Sequence, residues 1–390
     1  MATLARWFRR LLVISVLGIV AFFVFAPAYL DKQRNPVIEH APYAVSDAAR
    51  TLHDSLVIGD LHADPLLWKR DLTKRNTRGQ MDIPRLIEGN VTLQVFTAVT
   101  KSPAGQNIHQ NEADARDNIT LLAIGQLWPV PTWTSLYERA LHQAKKLHRF
   151  QERSDGRLRI IRTEADLDAL LDLKRAGEDV VGGLLGIEGA HPLEGDLDKL
   201  QGLVDAGYRL IALQHFFDNA LGGSLHGTGD HGLTEFGRAV VTATVEQGLI
   251  LDVAHSSPQV VRDVIAMTDI PLVLSHTGIH KACPVKRNLP DDLMRDIAAT
   301  GGVIGIGYWA NAVCDTSPAG VAKAIRSAIE VVGENHVALG SDFDGSVKTA
   351  FDTSELAALT QAMLDEGLSE TQIRKIAGGN MLRVVRARLD

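Results

Sequence analysis

Six short hydrophobic runs in this chain end on a histidine, an aspartate or a glutamate. They are Leu56 to Asp64, Val181 to Glu188, Tyr208 to His215, Gly248 to His255, Pro271 to His276 and His336 to Asp342. Short apolar runs bounded by turn residues read as buried parallel strands. In a parallel α/β barrel the C-terminal ends of the strands converge on one mouth. A chain with this pattern therefore collects metal-ligand and acid/base side chains at one place, which is the arrangement a metal-dependent hydrolase needs.

Eight strands are expected, near 56–62, 92–98, 181–187, 208–214, 249–254, 271–275, 302–307 and 336–341. Helix-length amphipathic segments separate most of them; Ile325, Ile329 and Val332, for example, fall on one helical face. This alternation predicts a (β/α)8 TIM barrel. About eighty residues part the second strand from the third. That stretch reads as a helical insertion, with a helix near Leu136 to Glu152, a short apolar piece Leu158 to Ile161 and a helix start at Thr163. Ser369 and Gln372 have the spacing of a capping box that opens a terminal helix.

The N-terminus has a different character. Leu11 to Leu30 is twenty residues without a charge, enough to cross a bilayer as a helix. Arg6, Arg9 and Arg10 precede it and place that end on the cytoplasmic side. The rival is a cleaved signal peptide, with Ala26-Pro27-Ala28 as its site; the length of the run favours a transmembrane anchor. Either way the remainder is expected in a periplasmic or extracellular space. The chain divides into an anchor or signal segment (1–30), a polar, proline-containing linker (31–45) and the barrel (46–390). A net charge of −7 argues against a nucleic-acid partner. Cys283 and Cys314 are the two cysteines. They follow neighbouring strands, and export permits a disulfide between them; two buried free thiols are the alternative.

The strand ends carry the chemistry. His62 and Asp64, two apart on an extended chain, point to one side and can grip one divalent ion; Asp60 lies below them. Glu188 has two carboxylate oxygens and can bridge two ions, the alternative being a pairing with a cationic side chain. His255 and His276 end adjacent strands, and neutral imidazole is a common ligand for zinc-like metals. Five such ligands with a bridging water suit two ions about 3.5–4 Å apart. Asp342 reads as the group that handles protons, with Asp344 pointing the other way. A sixth ligand would crowd the site, so His215 is expected to hold the substrate carbonyl oxygen. Arg287 is expected to bind a substrate carboxylate.

Together these residues resemble the membrane (renal) dipeptidase family of the amidohydrolase superfamily. The resemblance rests on Asp60-Leu61-His62-Ala63-Asp64, Gly186-Ile187-Glu188-Gly189, Gln214-His215 with Asn219, and Asp252-Val253-Ala254-His255-Ser256. It continues through Ser275-His276, Arg287-Asn288-Leu289-Pro290-Asp291, Gly340 to Gly345 and Gly379 to Val384. It implies two zinc ions, one on His62 and Asp64, one on His255 and His276, bridged by Glu188. It also implies dipeptide substrates, often with a D-residue on the C-terminal side, bound by His215 and Arg287, and often a homodimer. The family's animal members carry a lipid anchor. No hydrophobic tail closes this chain, so the N-terminal helix is expected in that role. The glycine-rich segment Asp218 to Gly227 and the pair Tyr308-Trp309 depart from the animal enzymes. The same centre acting on a lactone, a phosphoester or an N-acyl amino acid is the alternative activity, and a non-catalytic tethered binding module the remote one.

Overall fold

The computed structural model describes residues 2–389. Its strands are β1 (Ile58–Ala63), β2 (Val91–Val99), β3 (Leu158–Ile160), β4 (Val181–Glu188), β5 (Tyr208–Ala212), β6 (Ile250–Asp252), β7 (Val273–Thr277), β8 (Val303–Ile306) and β9 (Val337–Leu339). Every pairing is parallel, and β2 pairs with both β1 and β4. That second pairing closes an eight-stranded barrel and leaves β3 out of it. These strands are apolar and buried along nearly their whole length, as a sheet covered on both faces requires.

The ninth strand, β3, differs from the sequence reading, which left Leu158 to Ile161 as a short apolar piece. β3 pairs only with the start of β4, Leu158 against Val181 through Ile160 against Gly183. From Leu185 onward β5 becomes the neighbour of β4. With three residues and an exposed arginine at its centre, β3 has too little pattern to be recognised as a strand.

The first six helices are α1 (Ala2–Arg34), α2 (Asp47–Asp54), α3 (Ile83–Glu88), α4 (Asn118–Gly125), α5 (Leu136–Arg153) and α6 (Glu164–Arg175). The last three, with β3, make up the insertion between β2 and β4. Ser135 caps α5 by accepting from the Glu138 amide, and Thr163 with Asp166 forms a capping box on α6. Arg139 on α5 is buried and pins the insertion to the barrel. It donates to the carbonyls of Thr100 (2.7 Å) and Thr132 (2.6 Å) and pairs with Asp117. Ser369 and Gln372 form their capping box at the start of Glu370–Arg374.

α1 is apolar and long enough to cross a membrane, with a mean hydropathy of 2.7 over its best window. It runs past Leu30 into the segment read as a linker. There Asp31 and Asn35 are buried. The Asp31 carboxylate faces Arg70 (3.1 Å) and Arg78 (2.9 Å), and Arg70 also pairs with Asp344. The Asn35 side chain accepts from the Ser346 amide, and Val37 bridges to Thr349. The end of the apolar helix is thus fastened to the loop that follows β9.

Cys283 and Cys314 are joined in a disulfide that ties the loop after β7 to the turn after β8. In the barrel wall beside it, Gly305 and Gly340 flank the Ser275 carbonyl. A Cβ at either position would lie 2.0 or 1.9 Å from that oxygen, so only glycine fits.

Candidate active site

β1 carries Asp60 and His62 on one side, and Asp64 follows at its end. Asp60 does not touch the His62 ring. Its carboxylate accepts from the amides of His62 (3.0 Å) and Ser341 (3.1 Å), holding the end of β1 against the chain that leaves β9. Asp252 does the same between β6 and β7, accepting from the amides of Ala254 (2.9 Å) and Ser275 (3.0 Å). Beyond these braces the backbone turns sharply. His255 has φ 60° and Asp342 has φ 59°, a left-handed conformation that costs an ordinary L-residue about 1–2 kcal/mol. Two site residues held this way mark backbone strain at the barrel mouth.

The structure brings all eight sequence-selected residues to that mouth. His62, His255 and His276 aim Nε2 at one oxygen of Glu188, at 3.5, 3.2 and 3.4 Å. His215 Nε2 lies 3.3 Å from the other oxygen. Asp64 and Asp342 approach His62 Nε2 at 3.6 and 3.9 Å. Arg287 is buried, donates to the His276 carbonyl (2.7 Å) and lies over the Trp309 ring. Asp344 faces away because the chain is no longer a strand there. In an extended run positions two apart share a side, but Asp342 and Asp344 are both left-handed, φ 59° and 64°. The Asp344 carboxylate accepts from the Gln80 amide (2.7 Å) besides pairing with Arg70.

Of the neighbours, Ser275 and Trp309 stand in segments already singled out, whereas Thr97, Phe216 and the apolar lining carried no sequence signal. Thr97 on β2 donates to Asp64 (2.5 Å), and Ser275 meets His276 Nδ1 (2.9 Å). Phe216 stacks on the buried His226 and packs against His255. Leu67, Val99, Ile119 and Trp309 complete a cavity of about 540 Å³, a size suited to a small ligand. Thr97, Phe216, Leu67, Val99 and Ile119 depend on contacts between distant segments and have no local motif.

The electrostatics test whether this donor set fits a cation. Burial raises Glu188 well above the carboxylate range, and the Asp64 and Asp342 charges push it further. Asp342 is pushed up to about 8, by burial first and by Asp64 next. Burial alone would lower His62, yet Asp64, Glu188 and Asp342 carry it to about 10. Burial and the Arg287 charge hold His255 well below its ordinary value; at His276 burial comes first, then His62 and Arg287. Without metal, protons must therefore relieve a cluster of buried carboxylates, while neutral imidazoles face it. His255 and His276 bring their Nε2 atoms within 2.9 Å of one another. Carboxylates short of positive charge, beside imidazoles with free lone pairs, are the donor set of a divalent metal centre. Three groups of ligand atoms already lie within 4.8 Å of one another: His62, His276 and Asp342; Glu188, His215 and His255; His62, Asp64 and Glu188.

A parallel eight-stranded barrel with acids and imidazoles at its C-terminal mouth defines an amidohydrolase-type fold. The chain belongs to the membrane dipeptidase family (peptidase family M19), which matches residues 46–389. It is similar to the dipeptidase aclJ of Aspergillus oryzae, with 34% identity over 219 residues, 53% of this chain and 51% of that one. The chain thus spans about half the length of that curated relative. Among solved structures it is similar to dipeptidase AC, a metallopeptidase of the same family. That likeness has a TM-score of 0.69 and 25% identity, over 86% of this chain and 99% of the other. A metallopeptidase from Rhodobacter sphaeroides, solved with a phosphinate mimic of the dipeptide L-Ala-D-Ala, shares the fold. Its TM-score is 0.67 at 24% identity, over 85% and 99% of the two chains.

Proposed function

We propose that this chain is a binuclear zinc dipeptidase that hydrolyses the single peptide bond of dipeptides, including those with a D-residue at the C-terminal position. The observation that carries the reading is the convergence of three imidazole Nε2 atoms on one Glu188 oxygen, 3.2–3.5 Å away. His62 and Asp64 would hold one ion, His255 and His276 the other, and Glu188 would bridge them. Bound there, the metal supplies Lewis-acid activation of water and of the substrate carbonyl.

The chain's own groups do the rest. Arg287, buried at the wall with its guanidinium over Trp309, fixes the free carboxylate of the substrate. One peptide bond then lies over the centre and a longer chain does not fit. The Asp342 carboxylate takes the proton of the attacking water and returns it to the departing amine. His215 holds the carbonyl oxygen. Its Nδ1 is committed to the Lys101 carbonyl at 3.2 Å, so Nε2 bears a proton only in the imidazolium form. Burial holds His215 at about 4 in the metal-free protein; negative charge developing on the substrate oxygen would stabilise that proton. The bound phosphinate of the Rhodobacter protein, a mimic of L-Ala-D-Ala, supports the stereochemical part of the reading. The apolar helix α1 would tether the barrel to a membrane, with the barrel on the periplasmic or extracellular side.

The test is release of free amino acids from a dipeptide panel by the full chain in detergent. The panel carries L- and D-residues at the second position, and the protein is chelated and then reloaded with zinc. Release that stops with chelator and returns with zinc is expected. A zinc-loaded protein that cleaves lactones or N-acyl amino acids but no dipeptide would overturn the substrate assignment.

A further inference from the structure

We propose that α4 and the turn after it form a docking surface for the bilayer that α1 crosses, seating the barrel mouth against the membrane. The proposal rests on reading α1 as membrane-spanning.

Apolar exposure is concentrated at this place. Outside α1, the large apolar side chains exposed among the described residues are Ile38, Val57, Leu121, Leu127 and Val130. Ile38 and Val57 are 36% and 38% exposed, whereas Leu121, Leu127 and Val130 reach 57%, 60% and 66%. These three fall within ten residues of the insertion. Leu127 takes the left-handed position of the cap that ends α4, φ 57°, with its amide on the Ile124 carbonyl and the Trp128 amide on the Ala123 carbonyl, which turns its side chain outward. α4 turns Ile119 and Ala123 inward and Leu121 outward.

The patch adjoins the apolar helix. α4 packs on α1. Among the described side chains of α1 the shielded apolar ones are Phe23, Ala26, Pro27 and Ala28, so the contact falls in the last turns of the hydrophobic run. At about 1.5 Å of rise per residue, that contact is level with the outer boundary of the hydrocarbon core.

The charge beside the patch suits phospholipid headgroups. Lys69, Lys145 and Arg149 are exposed and form no ion pair among the described residues. Lys69 lines one hollow with Leu127 and Trp128; the Lys146 ammonium in that hollow is taken up by the Leu66 and Trp68 carbonyls. The acid in that hollow, Asp71, is engaged by Arg153 at 2.7 Å. An apolar ridge rimmed by lysine and arginine is the composition of an interfacial membrane contact. A second copy of the chain on the same face would oppose like charges. Ile119, on the inner side of α4, lines the active-site cavity, so docking fixes the direction in which that cavity opens relative to the lipid.

Both native cysteines are in the disulfide, so one introduced thiol gives a single labelling site. Leu121→Cys and Val130→Cys in the full chain, each bearing a nitrobenzoxadiazole dye, go into nanodiscs containing anionic phospholipid and spin-labelled quencher lipid. Leu12→Cys reports on α1 itself. Loss of dye fluorescence at all three positions is expected, with a smaller loss at Leu121 and Val130 when anionic lipid is omitted. Quenching at Leu12 alone would overturn the docking surface and leave the anchor standing. No quenching at Leu12 would remove the membrane reading and docking with it. A dye at Leu121 or at Val130 that escapes the lipid quencher yet self-quenches between copies of the same variant would assign the patch to a second copy and overturn the proposal.

Discussion

Asp342 is held in a left-handed turn, with burial raising its carboxyl to about 8. Removing its charge while keeping its shape isolates proton handling from metal binding. Asp342→Asn should lower kcat about 10²–10⁴-fold with zinc content, read by atomic absorption, unchanged. Zinc lost together with activity would make Asp342 a ligand. Seven of the eight residues at the mouth were legible because strand ends in a barrel converge, so position along a run substitutes for three-dimensional proximity; Arg287 lies on the loop after β7 and was legible through its motif. Thr97 and Phe216 were not, because nothing local distinguishes a threonine inside a strand or a phenylalanine beside a histidine. Asp252 stood in a quoted motif, but its task, receiving two amides from adjacent strand ends, shows only once β6 and β7 lie side by side.

Between elements, the disulfide and Asn288 act together. Asn288 donates to the carbonyls of Cys283 and Ala312, both at 2.9 Å, and so reinforces the link between the loop bearing Arg287 and the turn bearing Trp309. The bridge closes 31 residues, which in the chain-entropy account is about 4 kcal/mol of stability. The double variant Cys283→Ser, Cys314→Ser should therefore melt earlier in calorimetry. Its KM should rise more than its kcat falls, because the loosened loop is the one that carries Arg287. The long elements of the barrel were readable from hydrophobic period and caps, α5 most clearly, with its buried Ala140, Ala144 and Leu147 stripe. β3 was not, since its strand character comes from β4 having an open edge below Leu185 rather than from its own residues.

For the molecule as a whole, the metal centre is a store of protons. His62, raised to about 10, gives the metal-free fold stability that is full below about 6.5 and lost as pH rises through its folded value. Asp342, raised to about 8, binds its proton more tightly folded than unfolded, so it too weakens the metal-free fold as pH climbs towards that value. Metal binding displaces these protons, so its stabilising effect grows in the same direction. The rise in Tm on adding zinc should be larger at pH near 8 than near 6.5, in melts run with zinc and with chelator. An equal rise at both would show that the buried carboxylates are not the zinc-linked proton sites.

The ion pairs of Asp31 with Arg70 and Arg78 decide where this chain can be cut. Arg70 is fully buried between Asp31 and Asp344, and a buried charge stripped of one partner costs about 3–5 kcal/mol. A soluble fragment beginning at Val37, where the hydrophobic helix is already past, discards Asp31 and Asn35 and leaves Arg70 with one of its two carboxylates. A cut after Ala28 keeps them. The last turn of α1 belongs to the folded barrel, unlike the apolar run before it, and the boundary lies within the helix, ahead of the point where it unwinds.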